Sequence, residues 1–196
     1  MSQSDETLIA GVVAGDREAF AALYRRRRPD VYRFALHMTG SPAAAEDVAQ
    51  EVFLAVIKDA ARYTPGRSGV VPWLLGIARN HALRRMTERR HEPLPEPERE
   101  PGREADPAQA IARDQDVAAL RAALVTLPVV YREAVVLCDL QEMTYEQAAE
   151  TAGCVIGTIR SRLHRGRALL ADALRNERWT DTTRPWNRIS RTHFAG

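Results

Sequence analysis

Apolar residues recur at spacings of three and four in the first half of the chain, a pattern typical of amphipathic helices. The pattern predicts a short helix over residues 5–14 and a longer helix after Asp16, whose carboxylate can cap the first turn. Pro29 lies inside the longer helix and is expected to bend it. The predicted core side of this helix carries Phe20, Leu23, Tyr24, Val31, Phe34 and Met38.

A third helix is predicted from Pro42 to about residue 60, with Ser41 as its N-cap. Val48, Val52 and Ala55 lie on its predicted core side. A different side, built at spacings of three and four, carries three polar residues and one apolar residue, which are Asp47, Gln50, Glu51 and Leu54. An apolar residue ringed by polar ones is typical of a protein contact with a buried centre and a charged rim.

A fourth helix is predicted from Pro72 to about residue 91, and its second half is rich in cations. These cations are Arg79, Arg84, Arg85, Arg89 and Arg90. Favourable interaction with the helix dipole accounts for only part of this cluster. The preceding loop adds Arg62, Tyr63 and Arg67. Cations that follow phosphates beside an aromatic ring are what a single-stranded nucleic acid site requires.

Residues 92–107 contain five prolines, six acids and two arginines, without an apolar repeat. Proline at this density is incompatible with a helix, so we expect an extended acidic linker over residues 92–113. The linker divides the chain into two helical domains, residues 1–91 and 114–178, followed by a tail over residues 179–196 whose role is open. The expected fold class is all-α.

The second domain ends in a predicted helix-turn-helix. Thr144 and Gln147 form a capping-box pair, and Gly153 lies where the turn needs a positive φ. The following helix has a predicted buried stripe of Ile156, Ile159, Leu163 and Leu170. Its other sides carry Thr158, Arg160, Ser161, Arg162, His164 and Arg165, and acids are absent from this stretch. A solvated surface helix could share this pattern, but the turn and the cations favour a helix in a DNA major groove.

Composition excludes several function classes. The chain has 196 residues, 45% of them hydrophobic, and a net charge of +2, so a basic surface must be local. Neither an apolar run that could span a membrane nor a signal peptide is apparent, and a cytoplasmic protein without membrane insertion is expected. The two cysteines, Cys138 and Cys154, are interpreted as reduced core residues. We expect no metal and no cofactor.

The sequence resembles the bacterial sigma factors of the extracytoplasmic function (ECF) type over about residues 15–90 and 117–174. In the first half the resemblance is carried by GDREAFAALYRRRRPDVYRFALHMTG, AEDVAQEVFLAVI and VPWLLGIARNHALRR. In the second it is carried by LPVVYREAVVLCDLQEMTYEQAAETAG and GTIRSRLHRGRALL. Val155 departs from the family pattern, which usually has proline there, and a slightly looser helix start is expected.

The resemblance implies that residues 1–91 are sigma region 2 and residues 114–178 are sigma region 4. Region 2 would bind the clamp coiled coil of RNA polymerase core through Asp47, Gln50, Glu51 and Leu54. It would hold the −10 strand with Arg62, Tyr63, Arg79, Asn80, Arg84 and Arg85. Region 4 would read the −35 duplex with Thr158, Arg160, Ser161, Arg162, His164 and Arg165. The flap of the polymerase is a further implied contact of the protein. An anti-sigma factor is an implied further partner.

Two other classes compete with this interpretation. An ordinary helix-turn-helix regulator with a sensing or protein-binding first domain would explain the second half equally well. It would leave the basic fourth helix and the Asp47 side of the third helix without a purpose. An enzyme acting on nucleic acid would need a catalytic constellation. The sequence offers no paired carboxylates with metal-site spacing, no Gly-rich phosphate loop and no Ser/His/Asp or Cys/His arrangement. We therefore expect a protein without enzymatic activity.

Overall fold

A computed structural model of the chain describes residues 3–66, 69–89 and 107–180, and within those ranges every regular element is helical. The helices are α1 Asp5–Val13, α2 Arg17–Thr39, α3 Pro42–Asp59, α4 Val70–Arg89, α5 Pro107–Thr126, α6 Val129–Val135, α7 Tyr145–Ala152 and α8 Ile156–Thr180. A 3-10 turn, Ala60–Arg62, follows α3, and a π-helical turn, Val136–Leu140, continues α6. The prediction of an all-α fold is confirmed.

Local capping signals fix the helix starts in the first half. The Asp16 carboxylate accepts hydrogen bonds from the amides of Glu18, at 2.8 Å, and Ala19, at 3.2 Å. The Ser41 hydroxyl accepts one from the Ala44 amide at 3.3 Å, with Pro42 in the first turn. Helix α2 continues without a break through Pro29, which lies on its exposed side. These N-caps agree with the sequence-based predictions.

Two predicted boundaries differ from the structure. Residues 107–113, which were assigned to the linker, are the first two turns of α5, since Pro107 occupies the first helical position that proline favours. Helix α8 continues to Thr180, well past residue 170 and into the predicted tail. The acidic stretch 90–106 and the tail over residues 181–196 lie outside the described ranges.

The helix-turn-helix is built from α7, the turn at Gly153 and α8. The Thr144 hydroxyl accepts from the Gln147 amide at 3.3 Å, and the Gln147 side chain accepts from the Thr144 amide at 3.1 Å, so the capping box is confirmed. Gly153 has φ +65°, as the turn requires. Ile159 and Leu163 are buried. The prediction that Ile156 lies in the same buried stripe is wrong, because Ile156, in the first turn of α8, is exposed.

Gly166 is a point of close approach between α8 and α6. A Cβ atom at Gly166 would lie 2.8 Å from the Tyr131 carbonyl oxygen and 2.8 Å from a Val135 methyl group. By contrast, a Cβ at Gly157, on the same helix, would meet nothing within 4 Å. The close packing of α6 on α8 therefore requires glycine at position 166.

We expect Gly166→Ala to lower the free energy of unfolding, although alanine is the better helix former. Overpacking against backbone costs about 1–3 kcal/mol, which exceeds the gain of roughly 1 kcal/mol in helix propensity. Gly157→Ala is the matched control and is expected to be neutral or slightly stabilising. Thermal unfolding followed by circular dichroism compares the two, and equal melting midpoints would contradict the close approach.

The helices of the first half pack directly on those of the second half. Arg132 of α6 is buried and donates to the carbonyl oxygens of Met38, at the end of α2, and of Val125 and Leu127. A Cβ at Gly40 would lie 2.5 Å from a Val125 methyl group. The chain is thus in a closed arrangement, in which α2 and α4 contact α5, α6 and α7.

Candidate protein and nucleic-acid interfaces

The candidate docking side of α3 is present in the structure. Asp47 and Gln50 are exposed, and Leu54, with 47% of its surface accessible, lies one turn further on. Ile57 extends this apolar surface by another turn and is 57% exposed. Sequence reasoning missed Ile57, although its spacing of three from Leu54 was the available signal. We call Gln50, Leu54 and Ile57 the α3 surface.

Glu51 has a different environment from the rest of that side. One of its carboxylate oxygens lies 2.6 Å from His81 Nδ1, and the other accepts from Arg84 at 3.0 Å and from Arg85 at 3.1 Å. Arg85 also pairs with Asp47 at 3.2 Å. The structure therefore joins two acids predicted to bind polymerase with two arginines predicted to bind the −10 strand.

This network stabilises the ionised form of the Glu51 carboxylate. Partial burial raises its pKa, but the hydrogen bond from Arg85 and the electrostatic effects of His81, Arg85 and Arg84 outweigh burial, so the pKa lies below its ordinary value. Glu51 is thus an ionised link between α3 and α4. Its role in binding polymerase core stays a prediction, and in the structure its carboxylate is engaged within its own domain.

Asn80 and Arg79 lie next to each other on α4 but have different surroundings. Asn80 is exposed. Arg79 donates through Nε to the carboxylate of Glu133 on α6, a side chain with only 2% of its surface accessible. A predicted −10 residue is therefore engaged by the second domain in the closed arrangement.

The ring of Tyr63 is covered in the structure, whereas a ring that stacks on an extruded base would be exposed. The ring is 8% exposed, packs on Trp73 with centroids 5.3 Å apart, and its hydroxyl donates to Glu6 at 3.1 Å. Burial and the hydrogen bond to Glu6 raise its pKa. The expectation is corrected because these contacts with α1 and α4 hold Tyr63 in the core. Arg62 remains exposed beside it, and Arg67 lies outside the described residues.

The candidate −35 residues lie on α8, and most of them face solvent. Arg160 places its guanidinium 5.3 Å from the centre of the Tyr145 ring, a cation–π contact across the helix-turn-helix. Ser161 donates to the Thr158 carbonyl at 3.0 Å. Arg160, Ser161, His164 and Arg165 are exposed, whereas Thr158 and Arg162 are half-buried. The arrangement offers an exposed row of cations and hydroxyls at the start of a long helix.

His37 lies near the end of α2, at the contact between the two halves. Burial and the nearby Arg121 of α5 and Arg33 of α2 lower its pKa to about 4, so the ring is neutral at pH 7. Over the part of the chain that the structure describes, no group of three or more side chains could hold a metal ion. Within the same ranges, no helix is long and apolar enough to cross a membrane.

Two protein-family models match the chain, one in each of its helical halves. Residues 23–92 match the family model for sigma-70 region 2, and residues 118–170 match the model for sigma-70 region 4. The RNA polymerase sigma factor CarQ of Myxococcus xanthus is 34% identical over 163 residues, covering 82% of this chain and 91% of CarQ. The chain belongs to the ECF sigma factor family. This confirms the resemblance found in the sequence.

Other relatives of this ECF sigma factor are similarly distant. The ECF sigma factor SigE of Mycolicibacterium smegmatis is 40% identical over 167 residues, covering 82% of this chain, and the match spans 64% of SigE. Among solved structures, the sigma factor RpoE from Bartonella quintana, crystallised with the anti-sigma factor NepR, matches with a TM-score of 0.64 and 27% identity. That match covers 76% of this chain and 91% of RpoE. CnrH, solved with the cytosolic domain of CnrY, has a similar fold, with a TM-score of 0.68 over 89% of this chain and 99% of CnrH, at 24% identity.

Proposed function

We propose that this ECF sigma factor binds RNA polymerase core through α3, holds the opened −10 strand along α4 and reads the −35 duplex with α8. The observation that carries the proposal is the α3 surface. Its exposed Leu54 and Ile57 lie in the domain that matches the region 2 model. An ordinary helix-turn-helix regulator has no need for this surface, so the sigma function explains more of the chain.

The α3 surface has the chemistry of a protein contact. Leu54 and Ile57 form an apolar centre, and Gln50 and Asp47 supply a polar rim. The network around Glu51 fixes α3 against α4 and so holds this surface in one geometry. The resemblance supplies the clamp coiled coil as the partner, with the flap as a further contact on the polymerase.

Asn80 and the cations of α4 form the proposed −10 surface. An asparagine amide offers both a donor and an acceptor to an extruded base, and arginines follow its phosphates. Arg84 and Arg85 are partly neutralised by Glu51 and Asp47. Asn80 is therefore the proposed contact with a base, and Tyr63 is assigned to shaping the loop before α4.

The exposed cations of α8 suit the −35 duplex. Arginine forks recognise guanine edges in the major groove, and each good pair discriminates by about 1–3 kcal/mol. Arg160 is held over Tyr145, whereas Arg165 projects from the exposed side of the helix. We assign direct base reading to α8 and the fixing of its register to phosphate contacts.

The closed arrangement has to open for this function. The −10 and −35 elements are roughly 25 base pairs apart, about 85 Å of duplex at about 3.4 Å per base pair. Helices α4 and α6 are instead joined by the Arg79–Glu133 ion pair. Opening would free Arg79 for the −10 strand.

An anti-sigma factor is the proposed partner of the closed form, since the related RpoE was crystallised with one. We place the protein in the cytoplasm, where RNA polymerase acts. We assign it no reaction of its own, since the polymerase performs the chemistry of transcription.

Asn80→Ala is expected to impair promoter opening more than promoter binding, because the amide bonds only to an extruded base. Permanganate footprinting with the reconstituted holoenzyme on linear promoter DNA measures the reactive thymines, and a gel shift of the closed complex is the internal control. Wild-type permanganate reactivity in the variant would remove Asn80 from the strand-opening surface.

A further inference from the structure

Val155 is the most exposed large apolar residue among those that the structure describes, with 73% of its surface accessible. It lies directly before α8, and its carbonyl accepts from the amides of Thr158, at 2.9 Å, and Ile159, at 3.3 Å. The preceding Cys154 amide donates to the Ala149 carbonyl at 2.9 Å. The backbone is therefore hydrogen-bonded on both sides of Val155, and its side chain faces solvent.

The surroundings of Val155 combine apolar surface with positive charge. Ile156 follows it and is also exposed. Gly157 adds no side chain, and a Cβ there would meet nothing within 4 Å, so the first turn of α8 is uncovered on that side. Arg160 in turn lies against the Tyr145 ring of α7. Val155 and Ile156 thus form an apolar spot at the N-terminal end of the helix whose later positions carry the cations assigned to the −35 duplex.

The major groove of a DNA duplex offers partners both for arginine and for an apolar side chain. Guanine edges and phosphates attract arginine, and the C5-methyl group of thymine is the one apolar group on the base edges. A protein partner would need a larger patch, because stable protein contacts bury roughly 800 Å² on each side. Two adjacent apolar residues at the start of the recognition helix fit a base edge better than a protein surface.

We propose that Val155 is a specificity-determining residue that packs on the C5-methyl group of a thymine in the −35 element. The inference rests on the proposed function, since it requires α8 to lie in the −35 major groove. It adds an apolar contact to the arginine contacts and gives this chain a preference for thymine at one position, where cytosine offers no methyl group.

The test uses holoenzyme reconstituted from this chain and RNA polymerase core, with a promoter selected from a random library. Each thymine of the −35 element is replaced in turn by deoxyuracil, which removes only the methyl group. With the wild-type chain we expect one position at which affinity falls about threefold to fivefold, as for the loss of one buried methyl group. Val155→Ala should bind the thymine promoter more weakly than the wild type by a similar factor. Its affinity should not change when deoxyuracil replaces thymine at that position.

Two further variants complete the design. Val155→Thr keeps a methyl group at the same place and should keep the sensitivity to deoxyuracil. Val130→Ala removes another exposed valine of the same domain, on α6, and should behave as the wild type. The proposal is overturned if the wild type and Val155→Ala lose the same affinity on deoxyuracil substitution at every thymine. It is also overturned if deoxyuracil lowers the affinity of the wild type at no position. If no promoter is selected, or if Arg165→Ala leaves promoter selection unchanged, the assignment of α8 to the −35 duplex fails instead.

Discussion

Leu54→Glu is expected to abolish co-purification of this protein with RNA polymerase core and leave its melting midpoint unchanged. Leu54 is about half exposed on α3, so a charge there stays hydrated in the free protein. In the complex, the same charge would lie at the apolar centre of the contact, where the loss of a central side chain costs 2 kcal/mol or more. We expect affinity for the core to fall about thirtyfold or more.

Val13→Glu is the matched control for this change. Val13 is 53% exposed at the end of α1 in the same domain, and the chemical change is the same, so core binding should persist. Glu51 is left intact because reversing its charge would place a cation among His81, Arg84 and Arg85 and would destabilise the domain. Retained core binding by folded Leu54→Glu protein would refute the α3 surface.

Arg79→Ala is expected to separate the two halves of the chain. The variant leaves the Glu133 carboxylate buried without its ion-pair partner, which costs up to about 3–5 kcal/mol. Separation of the domains lets water reach Glu133 and so avoids this cost. Small-angle X-ray scattering should therefore show a larger radius of gyration than that of the wild type.

The double variant Arg79→Met with Glu133→Leu is the control for the ion pair. Replacing both partners of a buried pair by apolar residues is often neutral or stabilising, so the double variant should remain closed. A radius of gyration equal to that of the wild type in the single variant would contradict the role of this ion pair in the closed arrangement.

Local signals in the sequence were sufficient for the helices of the first half and for the helix-turn-helix. Asp16, Ser41 and the Thr144–Gln147 pair act within four residues of the helix starts, and Gly153 takes the left-handed conformation in its own turn. Such features depend on the backbone nearby and not on tertiary contacts. The first four helices and the helix-turn-helix were therefore predictable, whereas α5, whose first turns were assigned to the linker, and α6 were not.

The environment of the candidate site residues was not predictable in the same way. Glu51 meets its partners on α4, 30 or more positions later in the chain, and Tyr63 meets Glu6 from 57 positions earlier. Helical spacing places residues on a face but does not show which other helix covers it. Gly166 is a further case, since glycine inside a helix carries no sequence signal for the approach of α6.

Run-off transcription with purified RNA polymerase core tests the central claim most directly. Core enzyme alone should give no specific transcripts from a genomic fragment library. Core enzyme with this protein should initiate at discrete sites that share a −35 and a −10 element, and Leu54→Glu should remove those transcripts. Tight binding of the protein alone to promoter duplex, without any new start sites in the presence of core enzyme, would contradict the sigma function and favour an ordinary regulator.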